Sequence, residues 1–485
     1  MVEAYLAGHQ GNWYSPRLFS RHRTSHITGT VGMTAGSKIE LIMEDVLARL
    51  RSGALQAGDR LRSVREESEL QGVAKNTVVE AYLRLVAQGV VNSKPGAGYF
   101  IARNTPQLKA QAMPSFADGA RRAKMILTEQ LEQSLPIRPG DGRLPPDWLD
   151  PAEQRRAIAL PRVAASDSYN SSWGFLPLRE HLCGVLAERD IQCHPGQVLM
   201  TYGGNHGTDL VIRCYVRPGD AVLVEEPGYY PLFWKLAAAG ARIVGVRRLH
   251  DGPDLADLDE KARSSGARMF FTQPLAHNPV GGSITSGNAY GVMKIAEARN
   301  LLLVESDPFA DILPVTAPRL AALDQLKRVI YVGSFSKTLP GSFRVGYVAA
   351  SPDIAAELNE MKVITIISTS AQNERLVYSL IQDARYLKYL RRLRERIADA
   401  AAQTVAGLEQ AGFSVPRPLG DGFYVWIRFS DAMRGQDISA QAARQGIFIA
   451  PPEAFTVSPD QEPGTRINVA YGSHPEFLAW LAKQR

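Results

Sequence analysis

The sequence predicts a multi-domain protein, with a small, mostly helical N-terminal domain followed by a larger α/β domain. Its 485 residues exceed what one hydrophobic core usually supports. Within residues 37–103, three helix-like segments precede two short β runs. Between Val198 and Ala350, apolar β-like runs alternate with helical stretches, which is typical of a doubly wound, mostly parallel sheet.

Composition and charge are those of an ordinary soluble protein, with 45% apolar and 21% charged residues. The net charge is 55 minus 49, or +6, and residues 1–103 hold 13 Lys and Arg against 9 Asp and Glu, which is compatible with a nucleic-acid partner. Cys183, Cys193 and Cys214 have no metal-binding spacing, so we predict neither a metal site nor a disulfide framework. No signal-peptide order and no run of roughly 18 apolar residues is present, so we expect a cytoplasmic protein.

The sequence divides into four segments: an N-terminal extension (1–36), a small domain (37–103), a linker (104–135) and a large domain (136–485). The extension carries Trp13, Tyr14 and several basic residues without periodicity, so it is either a flexible leader or an arm that contacts DNA. The linker has no sustained pattern, although fair helix formers occur over 124–135.

The small domain begins with an amphipathic helix over residues 38–51, which Gly53 ends. Ser63 is a predicted N-cap, and Glu66 completes a capping box for a short second helix that ends at Gly72. A third helix has an apolar inner face and a polar start. Its inner positions are Val78, Ala81, Tyr82 and Leu85, and its outer positions are Lys75, Asn76, Thr77 and Arg84.

A short helix, a tight turn and a polar-fronted helix predict a helix-turn-helix, whose second helix offers its first residues to the major groove. Two brief β runs, over residues 90–93 and 99–102, flank the turn that begins at Lys94 and predict a wing. The alternative is a three-helix interaction domain whose basic residues are only solvated.

Residues 55–101 resemble the GntR-type winged helix-turn-helix in the AGDxL turn, the Ser-x-Arg of the second helix, the Asn-Thr-Val of the third and the Gly-x-Gly of the wing. The resemblance implies contacts to double-stranded operator DNA through six residues: Arg65, Lys75, Asn76, Thr77, Lys94 and Gly96. The chain departs from the family at Arg62, where proline is usual, and at Glu67 and Ser68, which replace an apolar pair. We expect these polar groups to affect the packing of the second helix more than the fold.

Six β-like runs of the large domain predict strands joined by helical crossovers. They cover residues 198–201, 221–224, 242–246, 269–272, 301–304 and 329–332. Such sheets bind ligands at the carboxyl ends of their strands. The polar motifs of this domain fall at these ends, so they predict one common site.

Four motifs stand at strand ends. Gly204 and Asn205 open a helix whose free N–H groups favour a phosphate, although a Gly-Gly pair alone is more often a plain turn. Tyr229 either stacks on a flat ring or is a core tyrosine. Asn278, in His-Asn-Pro-Val-Gly, places an amide within reach of a ring hydroxyl. Asp307 precedes a proline, and a carboxylate at this point would hold a pyridine nitrogen protonated.

The stretch from Tyr331 to Tyr347 carries the most informative residues. Lys337 stands among small hydroxyls between apolar segments, and a buried lysine readily becomes a neutral amine that attacks aldehydes. Arg344, seven residues later, suits a phosphate dianion. An aldehyde that carries a phosphate is pyridoxal phosphate, and a solvated loop lysine is the alternative.

In order, Gly-Gly, Pro-Gly-Tyr, His-Asn-Pro-x-Gly, Asp-Pro, Ser-x-Ser-Lys and Arg resemble the motifs of the fold-type I aminotransferases over residues 136–485. The resemblance implies a smaller C-terminal α+β subdomain and pyridoxal 5'-phosphate as cofactor. It assigns the internal aldimine to Lys337, the pyridinium to Asp307, the phenolic oxygen to Asn278, ring stacking to Tyr229, and the phosphate to Gly204, Asn205, Ser334, Ser336 and Arg344. Arg466 resembles the arginine that holds a substrate carboxylate, and a surface arginine is the alternative.

The chain also departs from the aminotransferase pattern. Phe309 stands where a tyrosine hydroxyl usually meets the phenolic oxygen, and loss of that donor is expected to raise the aldimine pKa. Gly204 replaces a hydroxyl residue of the phosphate loop, and Pro340 and Gly341 come one position early. We expect the cofactor to bind with altered tuning.

A winged helix joined to an aminotransferase-like domain resembles the MocR/GabR-type branch of the GntR regulators. The resemblance implies a head-to-tail homodimer that binds operator DNA and senses a small amine or amino acid, whose amine displaces Lys337 while Arg466 holds its acid group. Two alternatives stay open: an active aminotransferase with an accessory DNA-binding domain, and a regulator that senses pyridoxal phosphate itself. An enzyme has no need of residues 38–103, which favours the regulator.

Overall fold

The structure is a computed structural model of the chain. It describes residues 38–51, 55–94, 97–102, 126, 128–129, 132–149, 170–314, 316–416, 422–430, 437–458 and 464–484. The predicted N-terminal extension, most of the predicted linker and Gly96 of the wing lie outside the described residues. The chain divides into two compact units, Met1–Ala112 and Met113–Arg485. No described helix combines the length and the apolar composition that crossing a membrane requires.

Three helices and a two-stranded sheet form the N-terminal unit. They are α1 (Lys38–Arg51), α2 (Val64–Gln71), α3 (Lys75–Ala87), β1 (Val91–Lys94) and β2 (Gly98–Ile101). As predicted, Ser63 and Glu66 close a capping box at the start of α2, and Gly72 ends the helix with a positive φ of 60°. The four predicted inner positions of α3 are buried. β1 and β2 pair in antiparallel fashion, with Lys94 opposite Gly98, which confirms the predicted wing.

The polar departures in α2 compensate for each other. Glu67 is buried, and its Oε2 accepts a hydrogen bond from Arg62 Nη1 at 3.2 Å while its Oε1 accepts one from Gln71 Nε2 at 3.0 Å. Ser68 Oγ donates to the carbonyl of Val73 across the turn, at 2.6 Å. The buried carboxylate is therefore partnered, and α2 forms without the apolar pair.

An eight-stranded sheet organises the C-terminal unit, in the order β3-β10-β9-β8-β7-β4-β5-β6. Its strands are β3 (Val198–Thr201), β4 (Ala221–Glu226), β5 (Arg242–Leu249), β6 (Gly252–Pro253), β7 (Met269–Thr272), β8 (Leu302–Asp307), β9 (Val329–Ser334) and β10 (Gly346–Ala349). All six predicted runs are strands, and the pairs from β5 through β4, β7 and β8 to β9 are parallel, as predicted. The sequence did not predict β10, which runs antiparallel between β3 and β9.

Helices cover both faces of this sheet. The described α-helices of the C-terminal unit are α4 (Leu176–Ala187), α5 (Gly204–Tyr215), α6 (Tyr230–Ala238), α7 (Leu255–Ser265), α8 (Ser286–Ala298), α9 (Leu320–Asp324), α10 (Pro352–Ile366), α11 (Ala371–Ile381), α12 (Ala384–Gln410), α13 (Ile438–Ala443), α14 (Val469–Gly472) and α15 (Pro475–Leu481). Because strand residues alternate between faces, Met200 and Leu223 join one apolar core with α4, α7 and α8, whereas Leu199 and Val222 join another with α5, α6 and α10.

The smaller C-terminal part is built from α12 to α15 and the antiparallel strands β11 (Tyr424–Arg428) and β12 (Gly464–Asn468). Thr404 of α12 donates its hydroxyl hydrogen bond to the carbonyl of Val469 at 2.9 Å, which ties the long helix to the start of α14. This is the predicted α+β subdomain, and it presents Arg466 and Tyr424 to the site described below.

Candidate functional site

Lys337 lies in the loop after β9 and is half-buried. Its Nζ donates hydrogen bonds to the carbonyl of Gly142 at 2.7 Å and to the hydroxyl of Tyr424 at 3.1 Å. The rings of Phe309, Phe423 and Tyr424 surround it, with centroids 5.5 to 5.8 Å from Nζ. The amine is therefore held by neutral oxygen atoms in a mostly aromatic enclosure, which suits a lysine that reacts with an aldehyde.

Asp307 ends β8 and is buried. Its Oδ2 accepts hydrogen bonds from Arg319 Nε and from the hydroxyl of Tyr331, both at 2.8 Å. Its Oδ1 is also buried and has no hydrogen-bond partner among the residues that the structure describes. A buried acceptor without a donor is unusual, and a protonated ring nitrogen would satisfy it.

A phosphate-sized group finds donors at the start of α5. Gly203 precedes the helix with a φ of 78°, and a Cβ at this position would lie 3.1 Å from Nη2 of Arg344. Arg344 itself donates to the carbonyl of Tyr202 at 2.8 Å. Ser334 Oγ lies 3.0 Å from Ser336 Oγ, and a Cβ on Gly204 would lie 3.5 Å from Ser334 Cβ. A helix N-terminus, a guanidinium and hydroxyls therefore lie close together, and these are the groups that bind phosphate in proteins.

Asn205 and His206 of α5 lie beside these phosphate-binding groups. The side chain of Asn205 is exposed, and its backbone carbonyl accepts a hydrogen bond from Lys235 Nζ at 2.8 Å. His206 Nδ1 accepts the N–H of Tyr202 at 3.1 Å. Burial, together with the charge of Lys362, lowers the pKa of His206 to about 4, so this ring is neutral near pH 7.

Tyr229 is the residue before α6, and its side chain is 38% exposed, whereas the adjacent Tyr230 is buried. The two rings are tilted, with centroids 6.0 Å apart. Tyr230 serves the apolar core, so the interpretation of a core tyrosine applies to it and not to Tyr229. An accessible aromatic face at a strand end is what stacking on a flat ring requires.

Arg466 and Asn278, which the sequence placed in separate roles, are in direct contact. Arg466 is buried, and its Nη1 donates to Asn278 Oδ1 at 3.0 Å while its Nη2 donates to the carbonyl of Gly140 at 2.8 Å. Its Nε is buried and finds no hydrogen-bond partner in the described part of the chain. Its guanidinium lies over the ring of Tyr424 at 4.7 Å. The alternative of a surface arginine is therefore wrong.

A buried charge cluster supports the loop that carries Asn278. Glu225 accepts from Arg248 Nη1 at 2.6 Å, from the N–H of Gln273 at 2.7 Å, and from His277 Nε2 at 3.1 Å. Burial alone would raise the pKa of Glu225, but Arg248 and His277 outweigh it and leave the pKa at about 2. Burial lowers the pKa of His277, so the ring is neutral and fixes the loop by hydrogen bonds.

Sequence reasoning missed two functional candidates. Tyr424 begins an apolar strand and resembled a core aromatic, yet its hydroxyl donates to the carbonyl of Gly142 at 2.8 Å beside the amine of Lys337. Arg319 lies in a loop without periodicity, yet it is the ion-pair partner of Asp307. Phe309 is fully buried against Phe423, at a centroid distance of 4.9 Å, and its phenyl ring carries no hydroxyl.

In the N-terminal unit, the side chains of Lys75 and Asn76 are exposed at the start of α3 and Thr77 is half-buried. Arg65 is exposed on α2 and pairs with Glu69 at 3.1 Å. Lys94 is exposed on the wing, with its Nζ 4.9 Å from the centroid of the Phe100 ring. These positions are accessible to DNA, as a helix-turn-helix requires.

Comparison with known families agrees with both units. Residues 159–480 match the family of class I and II aminotransferases, which covers more than half of the chain. Residues 38–101 match the gntR family of bacterial regulatory proteins. The sequence therefore combines two families whose members differ in function.

Individual relatives span both units. The uncharacterized HTH-type transcriptional regulator YdcR of Escherichia coli K12 is 26% identical over 90% of this chain and 95% of its own length. The probable rhizopine catabolism regulatory protein MocR of Rhizobium meliloti is 27% identical over 87% of this chain and 88% of its own. A crystal structure of LysN, an alpha-aminoadipate aminotransferase from Thermus thermophilus complexed with N-(5'-phosphopyridoxyl)-L-leucine, has a TM-score of 0.67 at 24% identity over 76% of this chain and 96% of LysN. This similarity shows the fold of the larger unit.

Proposed function

The chain belongs to the aminotransferase class I and II family, and we propose that it is a cytoplasmic, DNA-binding transcriptional regulator whose larger unit holds pyridoxal 5'-phosphate and senses an amine or amino acid. The gntR-family match supports the DNA-binding half. YdcR, which aligns with both units, is named as an HTH-type transcriptional regulator.

Three features of the larger unit support the cofactor: the Oδ1 of Asp307, which has no partner among the described residues, the neutral partners of Lys337, and the position of Arg344 beside the start of α5. Pyridoxal phosphate supplies an aldehyde that combines reversibly with amines and a ring that withdraws electrons. The residues that would hold it are Lys337 at the aldehyde, Asp307 at the ring nitrogen, Asn278 at the phenolic oxygen, Tyr229 at a ring face, and Gly204, Asn205, Ser334, Ser336 and Arg344 at the phosphate.

Arg466 is the residue that we propose binds an acid group of the effector. It is buried, it keeps an unpartnered Nε among the described residues, and it lies against Tyr424, which also contacts Lys337. An effector amine would compete with Lys337 while its carboxylate binds Arg466, because a planar guanidinium pairs well with a carboxylate. An amino acid satisfies both requirements.

On the DNA side, we propose that Arg65, Lys75, Asn76, Thr77 and Lys94 contact the operator, within a head-to-tail homodimer. Gly96 remains a prediction outside the described residues. If effector and operator bind to two linked states of the protein, each changes the affinity of the other by the same factor. Equal effector affinity with and without operator would contradict the proposal.

One observation carries the proposal: a single chain joins an exposed, polar helix start in a gntR-family unit to a site whose buried acceptor and reactive lysine fit the cofactor. An active aminotransferase is the second candidate, because Lys337, Asp307 and Asn278 are all present and the fold matches LysN. A regulator that senses pyridoxal phosphate itself, without a second ligand, is the third.

The test compares wild type with Lys337→Ala, and uses Lys327→Ala, an exposed lysine of the same unit, as the matched control. Borohydride reduction after incubation with pyridoxal phosphate is expected to label residue 337 in wild type and control only. Operator fragments selected from genomic DNA then report affinity with and without added amino acids. A cofactor effect without amino acid favours the third candidate, and many turnovers to keto acid favour the enzyme.

A further inference from the structure

Arg319 is a fully buried cation at the proposed ring-nitrogen site. Its side chain has 0% exposure, its Nε donates to Asp307 Oδ2 at 2.8 Å, and its Nη1 donates to the carbonyl of Ala317 at 3.2 Å. Tyr331 donates to the same oxygen of Asp307 at 2.8 Å. Both donors use Oδ2, and Oδ1 has no partner in the described part of the chain, so Oδ1 is available to a ligand.

The backbone around Arg319 fixes this guanidinium in place. Arg319 is the residue before α9, and the next two N–H groups, of Leu320 and Ala321, donate to Glu305 Oε1 at 3.1 Å and Oε2 at 2.8 Å. Glu305 lies two residues before Asp307 on β8. Strand β8 therefore carries Asp307 and, through Glu305, also binds the start of α9, which follows Arg319.

Asp307 and Arg319 form an ion pair that is closed off from solvent. Asp307 is 1% exposed, and the buried Glu305 lies two residues before it on the same strand. Burial works against the charge of Arg319, but Asp307 and Tyr331 outweigh it and leave the pKa of Arg319 raised. The guanidinium therefore remains charged beside the carboxylate.

We infer that Arg319 is a positioning residue that keeps Asp307 ionised, so that a proton shared between Asp307 and the cofactor's pyridine nitrogen resides on the nitrogen. A carboxylate and a ring nitrogen can share a proton in two ways, on oxygen or on nitrogen. A cation 2.8 Å from the far carboxylate oxygen stabilises the ionised carboxylate and so favours the second arrangement. Only a protonated ring withdraws electrons strongly.

This inference rests on the proposed function, because it assumes that pyridoxal phosphate binds at Asp307. It assigns to Arg319 a role that no motif residue supplies. Removing the cation is expected to move the proton from nitrogen to oxygen without breaking the link to Lys337. Exchanging arginine for lysine is expected to retain the proton on nitrogen, because the charge is kept.

The experiment uses the full chain loaded with pyridoxal phosphate that carries ¹⁵N in its ring. Four proteins are compared: wild type, Arg319→Met, Arg319→Lys and Tyr331→Phe, the last removing the other donor without removing a charge. We expect the ¹⁵N resonance of wild type and Arg319→Lys at the protonated position, and that of Arg319→Met shifted towards free pyridine. Cofactor affinity is expected to fall about tenfold or more in Arg319→Met, since one pKa unit of lost interaction corresponds to a factor of ten.

Two results would overturn the inference. One is a wild-type ring nitrogen at the unprotonated position, which needs no variant and so holds even if Arg319→Met fails to fold. The other is a folded, borohydride-trappable Arg319→Met protein whose resonance equals that of wild type. Operator affinity is measured separately: if it ignores cofactor and amino acids while the resonances shift as expected, the regulator proposal fails and the role of Arg319 stands. A wild type that takes up no cofactor overturns both.

Discussion

The pair formed by Arg62 and Glu67 makes a strong test of how the DNA-binding unit is held together. Glu67 is 1% exposed, and the side chain of Arg62 is 41% exposed. A hydrogen bond to a charged group contributes about 1.5–3 kcal/mol, and the exposure of Arg62 together with the second donor on Gln71 reduces this. We therefore expect Arg62→Met to lower the free energy of opening of α2 by about 1–2 kcal/mol.

The same reasoning predicts the stability of the Glu67 variant and of the double variant. Glu67→Leu removes the buried carboxylate and restores an apolar residue, so its cost is expected to be smaller than that of Arg62→Met. Arg62→Met combined with Glu67→Leu is expected to be close to wild type, because the double variant leaves no charge without a partner at the buried position of Glu67, and replacing both members of an ion pair by apolar groups is often neutral. The backbone carbonyl of Arg62 accepts a hydrogen bond from the hydroxyl of Tyr82 at 3.1 Å, and these side-chain substitutions leave that carbonyl in place.

Hydrogen–deuterium exchange of the full-length protein measures these changes, because peptides covering α2 and α3 report the N-terminal unit separately from the larger one. Peptides of the larger unit are the internal control and should exchange as in wild type. Additive effects of the two substitutions would refute the reasoning, since additivity means that the two side chains do not interact.

Four further predictions concern the larger unit. Tyr424→Phe removes a hydroxyl that orients the amine of Lys337 and is expected to slow uptake of pyridoxal phosphate about fivefold in stopped-flow absorbance, since one neutral hydrogen bond is worth about 1 kcal/mol. Arg466→Met is expected to weaken binding of an acid-bearing effector about a hundredfold by calorimetry while cofactor binding persists. Gly203→Ala places a side chain at a φ of 78°, which costs about 1–3 kcal/mol, and is expected to weaken cofactor binding. The pKa of His206 is depressed from 6.5 to about 4, so the stability that its neutral ring contributes is present above pH 6.5 and is lost as the pH falls through 4; the difference between wild type and His206→Asn in urea unfolding is expected to shrink over this interval.

The fold could be predicted because its signals are local. The capping box of Ser63 and Glu66 and the apolar runs of β3 and β7 depend on residues a few positions apart. The location of the candidate site could be predicted from the strands as well, because parallel strands bring their carboxyl ends to one edge of the sheet. β10 was missed because nothing local separates an antiparallel return strand from the loop of Lys337.

Contacts between distant segments could not be predicted in the same way. Tyr424 is 87 positions from Lys337, and its strand has the apolar pattern of a core element. Arg319 is only 12 positions from Asp307, but the loop between them has no period from which its direction could be inferred. The partnership of Arg62 with Glu67 needed the structure as well, since each residue alone departs from the gntR pattern and only their contact shows why both are tolerated.

The contact between Arg466 and Asn278 suggests how the proposed site converts ligand binding into a signal. Before an effector binds, Arg466 already donates to the amide oxygen of Asn278, and its Nε is buried. A carboxylate that binds this arginine must compete for donors with Asn278 or approach through Nε. Either route changes the amide proposed to hold the phenolic oxygen, and Asn278 belongs to the loop that His277 anchors to Glu225. The acid group of an effector would thus act on the Asn278 loop while its amine competes with Lys337, so a ligand that carries both groups is expected to be more effective than either group alone.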